Sequence, residues 1–175
     1  MARSDPELRA QYERLAPLLH RRALHLLGSD DDAWDAVHDA FVRLLGGGWR
    51  MFHGRSTQLT YAYRITTNVC LNVLRARRVS TRAVARLTTS PAQSACTPAY
   101  DASEFLQRLM DAVQKERDAE RLLHVAVYKH IEDMTVDEVA RVLGRGVRTV
   151  KRDLARLRRL VQNDQALAAF EVNHG

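Results

Sequence analysis

Seven arginines and lysines stand between Arg145 and Arg159, at 145, 148, 151, 152, 156, 158 and 159, against one acid, Asp153. The chemistry open to such a segment, if helical, is phosphate neutralisation and hydrogen bonding to base edges. Its first residues can enter a major groove while the flanking cations sit on the backbone. A second set interleaves aromatic and basic residues in Trp49–Arg55 (WRMFHGR), with Tyr61 and Tyr63 following. Rings beside guanidinium groups suit unpaired bases, which stack on the rings while cations hold the backbone. The same rings would also serve to fill a small helical core. Bond-making chemistry finds little equipment. Gly46-Gly47-Gly48 lacks the Lys-Ser/Thr of a phosphate loop, and no GxSxG or HExxH pattern occurs. Asp30-Asp31-Asp32 has the charge to hold a divalent cation, but carboxylates at a helix start suit the helix dipole better. No catalytic residue, metal site, cofactor or small-molecule substrate is expected.

The elements that must position these residues read as helices. Val139-Ala140 and Leu143-Gly144 fit a first helix with a tight exit, and Val147 and Val150 are spaced to pack a second helix back onto it. Upstream, Asp5-Pro6 starts a helix in which Leu8, Tyr12, Leu15, Leu18, Leu19, Leu24 and Leu27 recur at helical spacing up to Gly28. Ser29 or Asp30 caps the next helix, with Ala33, Ala36, Val37, Ala40, Phe41, Leu44 and Leu45 inward. A third is predicted from about Leu59 to Arg78. Its inner stripe is Ala62, Ile65, Thr66, Val69 and Val73, and its outer side presents Thr60, Arg64, Thr67, Asn68 and Arg75. Residues 81–103, rich in Ser, Thr, Ala and Pro, read as a flexible linker. Helical periodicity returns from Glu104. The expected fold is therefore all-α: two small helical domains, 1–80 and 104–165, the second containing a helix-turn-helix, then a tail at 166–175.

Charge sharpens the division. Across 175 residues the net charge is +6, yet no Asp or Glu occurs from Ala40 to Tyr100, where nine arginines fall. Just before that stretch Asp30, Asp31, Asp32, Asp35 and Asp39 cluster. Such segregation implies two surfaces with different partners. Cys70 and Cys96 form neither a disulfide framework nor a zinc pattern with the seven histidines. No apolar run of membrane-spanning length and no apolar leader core is present, so a cytoplasmic location is expected.

Three collinear segments carry a resemblance. Asp32–Leu45 (DAWDAVHDAFVRLL) resembles the second helix of region 2 in the sigma-70 family of RNA polymerase sigma factors, in the pattern of its extracytoplasmic function (ECF) class. Phe52–Arg75 (FHGRSTQLTYAYRITTNVCLNVLR) is similar, without a gap, to the next stretch of that region. Tyr128–Gly144 with Arg148–Arg152 looks like region 4. A single helix-turn-helix match would be unspecific; three in order, with a linker where the family has one, are specific.

The resemblance implies an alternative sigma factor that binds core RNA polymerase and directs promoter-specific initiation. Asp32, Asp35, Val37, His38, Asp39 and Phe41 would dock on the polymerase. Phe52, Arg55, Ser56, Tyr61, Arg64, Thr67 and Asn68 would capture the −10 element as it melts, with Arg75, Arg77 and Arg78 on backbone phosphates. Arg145, Arg148, Thr149, Lys151, Arg152 and Arg156 would read the −35 element. An anti-sigma factor is the further partner it implies. Against the family pattern, His38 stands where Gln is usual, Tyr61 where Trp is, and Asn72 where Asp is; Arg145-Gly146 replace an apolar residue and a Ser cap. A helix-turn-helix regulator that does not recruit polymerase is the alternative.

Overall fold

The computed structural model describes residues 5–52, 54, 56–87, 102–164 and 167, all in helices and connecting turns. The chain divides into two compact units, Met1–Leu71 and Asn72–Gly175, with the boundary inside a long helix.

In the first unit, α1 (Asp5–Leu27) and α2 (Asp30–Leu45) pack antiparallel across a tight turn, in which Gly28 takes a φ of 70°. Ser29 is the N-cap of α2 and its hydroxyl accepts from the Asp32 amide at 3.4 Å, while Asp30, Asp31 and Asp32 fill the first turn. Leu15, Ala16, Leu19, Ala23, Leu26 and Leu27 of α1 bury against Ala33, Ala36, Val37, Ala40, Phe41 and Leu44 of α2. Leu24 and Leu45, expected inside, lie outside at 37% and 53% exposure. Small alanines allow close helix approach, and Ala16, Ala23 and Leu26 take the inward positions instead.

A 3₁₀ turn (Gly48–Met51) leads from α2 toward α3 (Gln58–Leu87). Gly48 is required there, because a Cβ would stand 2.8 Å from the Arg43 carbonyl oxygen. The helix α3 runs nine residues beyond its expected end at Arg78. VSTRAVARL contains no Gly or Pro and offers good helix formers, so nothing stops the propagation. Of the expected linker 81–103, residues 81–87 thus continue α3 and 102–103 open α4; the rest, with Cys96, lies outside the described residues.

The second unit holds the C-terminal part of α3 with α4 (Ala102–Val113), α5 (Ala119–Ala126), a π-helical turn (Val127–Ile131), α6 (Val136–Leu143) and α7 (Val147–Gln162). Phe105, Leu106, Leu109, Leu122, Leu123, Tyr128, Val139, Val150, Leu157 and Val161 make its core. Leu167 of the expected tail is fully buried as well, its amide donating to Asp164 Oδ1 at 3.3 Å.

Candidate nucleic-acid interface

The helix-turn-helix is built by its own ends. Thr135 caps α6 by accepting from the Glu138 amide, and Glu138 Oε2 accepts from the Thr135 amide at 2.8 Å, closing a capping box. These hydrogen bonds, that to the Thr135 side chain foremost, hold the Glu138 carboxyl below the usual glutamate range. At the other end Gly144 adopts φ 62°, and the Arg145 amide reaches back to the Ala140 carbonyl at 2.9 Å. Gly146 then starts α7 with extended backbone and no side-chain cap. Val139, Ala140 and Val150 meet inside, while Val147 and Leu143 are half-buried.

On α7 the cations separate by role. Arg145, Arg148, Lys151 and Arg152 are exposed, and Thr149 is half-buried among them. Arg158 and Arg159 extend the exposed positive face. Arg156, expected on DNA, is instead drawn into ion pairs with Glu116 and, at 3.7 Å, Asp118. It falls on the side of α7 turned to the loop before α5. Asp153, the acid within the run, is 2% exposed and receives two bonds from Arg121, at 2.7 and 3.1 Å. Arg121 in turn pairs with Asp118 at 3.0 Å, and its guanidinium pKa is raised, chiefly by the hydrogen bond to Asp153.

The aromatic-basic segment of the first unit is also resolved into parts. Trp49, Phe52 and Tyr61 form a half-buried cluster with ring centroids 5.3 to 6.1 Å apart. The Tyr61 hydroxyl donates to the Gly48 carbonyl at 2.9 Å, fastening the loop to α3. Tyr63 is covered by the Arg22 guanidinium, 4.7 Å from its centroid. Ser56 is half-buried at the loop's end, Arg64 exposed and Asn68 half-buried; Arg55 lies outside the described residues. Thr67 corrects the reading of α3: it is fully buried, and its hydroxyl accepts from Arg22 Nε at 3.2 Å. The inward stripe is wider than expected and takes in Thr67, Cys70, Leu71 and Leu74, so Thr67 has no surface to offer DNA. Arg22 itself, 5% exposed, escaped the sequence reading, although its spacing of seven from Leu15 and three from Leu19 pointed inward.

Within the second unit, Arg75 and Arg77 are half-buried, and Arg75 donates to Asn72 Oδ1 at 2.6 Å. Arg78, expected on phosphates, is engaged by Asp111 of α4 and by Gln114 just after it, whose Oε1 accepts at 3.0 Å.

The acidic helix needs a parallel correction. Asp35, His38 and Asp39 are exposed and Asp32 half-buried, but Val37 and Phe41 are core residues, 0% and 6% exposed. The open apolar residues of α2 are Val42 and Leu45, 68% and 53% exposed, one and two turns beyond His38. The period of 3.6 from Asp35 would have found them.

Residues 11–79 match the model of sigma-70 region 2, spanning α1, α2 and α3 up to Val79. The chain belongs to the sigma-70 family of RNA polymerase sigma factors, in its ECF class. It is 30% identical to the RNA polymerase sigma-E factor of Streptomyces coelicolor over 158 residues, covering 87% of this chain and 85% of that one. Its fold is similar to that of the sigma factor RpoE of Bartonella quintana, solved in complex with the anti-sigma factor NepR. There the TM-score is 0.50 at 17% identity, over 90% of this chain and 95% of that one. It is thus an alternative sigma factor directing transcription initiation, and the reading as a regulator that does not recruit polymerase finds no support. No helix among the described residues is long and apolar enough to cross a membrane.

Proposed function

We propose that this sigma factor acts through one protein-docking face and two promoter-reading faces. The carrying observation is the division of exposed charge: aspartates on α2, cations on α7. Asp32, Asp35, His38 and Asp39, with Val42 and Leu45 in place of Val37 and Phe41, form the face for core RNA polymerase. Phe52, Ser56, Tyr61, Arg64 and Asn68 capture the −10 element as it opens, with Arg55, Arg75 and Arg77 on flanking backbone. Arg145, Arg148, Thr149, Lys151 and Arg152 read the −35 duplex, their cations supplying a salt-dependent share of affinity. Residues 1–80 serve as the region 2 domain and 104–165 as the region 4 domain. The polymerase performs the chemistry, and the chain acts in the cytoplasm, where an anti-sigma protein restrains it.

Run-off transcription with core polymerase on intact and pre-melted promoters tests the reading. Promoter-specific transcripts that need both proteins are expected. Absence of any binding to core polymerase would overturn it.

A further inference from the structure

Four rings form a continuous ladder across the seam between α1 and α2. His20 stacks on Trp34 with centroids 4.2 Å apart, Trp34 on His38 at 6.0 Å, and His38 lies parallel to Tyr12 at 6.3 Å. Polar groups approach the rings at both ends. His20 Nε2 sits 3.0 Å from an Asp30 carboxylate oxygen, and His38 Nε2 shares a 3.1 Å hydrogen bond with the Tyr12 hydroxyl. Tyr12 also packs on Phe41, centroids 4.7 Å apart.

The ladder is not needed to fill the core. Leu15, Leu19, Ala33, Ala36, Val37 and Ala40 close the seam beneath it, none more than 2% exposed. Above them Tyr12 and Trp34 remain half-buried and His38 exposed. Rings already immobilised yet left partly open make an anchor for a partner, because binding them orders little that is not already ordered. The surroundings select that partner's chemistry. Along α2 five aspartates face a single arginine, Arg43 in the last turn. Asp31, Asp35 and Asp39 are exposed beside Trp34 and His38, and Val42 follows one turn on.

We infer that Trp34 anchors the polymerase-docking face and that the ladder carries this face from α2 onto His20 and Tyr12 of α1. The occupant is a basic segment of core RNA polymerase, its cations on the aspartates and its apolar surface on the Trp34 edge and Val42. This rests on the sigma-factor reading above.

Hydroxyl-radical footprinting of the wild-type full chain, free and with core polymerase, tests it without a mutation. Oxidation of Trp34 falls severalfold on adding core, whereas that of Trp49, in the absence of promoter, does not. In competition for core, Trp34→Ala binds more than tenfold weaker, and Val79→Ala, an exposed apolar control on α3, binds as wild type. Wild-type binding with Trp34 unprotected overturns the inference alone; a wild-type chain that never binds core overturns the reading beneath it.

Discussion

Asp153 interrupts the cationic run of α7 yet never meets solvent, because Arg121 takes both of its carboxylate oxygens. Removing the partner of a carboxylate buried to 2% exposure leaves an uncompensated group in the interior. Arg121→Ala is therefore expected to cost about 3 kcal/mol, read as a lowered midpoint in chemical denaturation. The double change Arg121→Met with Asp153→Leu should recover most of that loss, since it leaves no orphan charge. A mild effect of Arg121→Ala would mean that water already reaches Asp153. Surroundings likewise separate Arg148 from Arg156: both are arginines of one helix, but Arg148 is exposed, whereas Arg156 is half-buried and pairs with Glu116 and Asp118.

At the scale of elements, α6 and α7 are capped by different means. Thr135→Ala should remove about 1 kcal/mol by opening the capping box of α6. The box also makes stability depend on pH. Folding depresses the Glu138 pKa, so its contribution is present above the unfolded glutamate value and is lost as pH falls through the folded one. Denaturation midpoints should fall more steeply below about pH 4.3 in wild type than in Thr135→Ala; parallel acid limbs would refute this. The start of α7 offers the opposite opportunity. Gly146 has extended backbone, and a Cβ there meets nothing within 4 Å. Gly146→Ser should raise stability by a few tenths of a kcal/mol, visible as a small upward shift in melting temperature.

For the whole molecule, the segregation of charge sets how binding responds to salt. In holoenzyme bound to −35 duplex, Arg148→Ala should reduce the slope of log affinity against log salt by about 1. Arg156→Ala should leave that slope unchanged and lower the unfolding midpoint instead, since its partners are Glu116 and Asp118. Equal changes in slope would place Arg156 on DNA after all. Much of this plan was legible before folding: cap residues gave the starts of α1 and α2, and apolar spacing gave the packing of α7 on α6. The extent of α3 was less so, because Ser- and Thr-bearing sequence after Arg78 reads as loop but contains nothing that breaks a helix.

Residue type and spacing along the chain by themselves determined the all-helical class, the acidic and basic segments, a cap at Ser29 or Asp30 and a tight exit at Gly144. These follow from local physics: periodic apolar positions, caps and the steric freedom of glycine. Only the tertiary structure decided which side chains within each segment remain open. Val37, Phe41 and Thr67 turned inward, Arg78 and Arg156 were claimed by acids from other elements, and Val42, Leu45 and the Trp34 ladder were left on the surface. A helix stripe predicts a direction to within a residue or so, but the width of the buried arc depends on what packs against it. Ion pairing between elements likewise depends on distances that exist only after the helices have met.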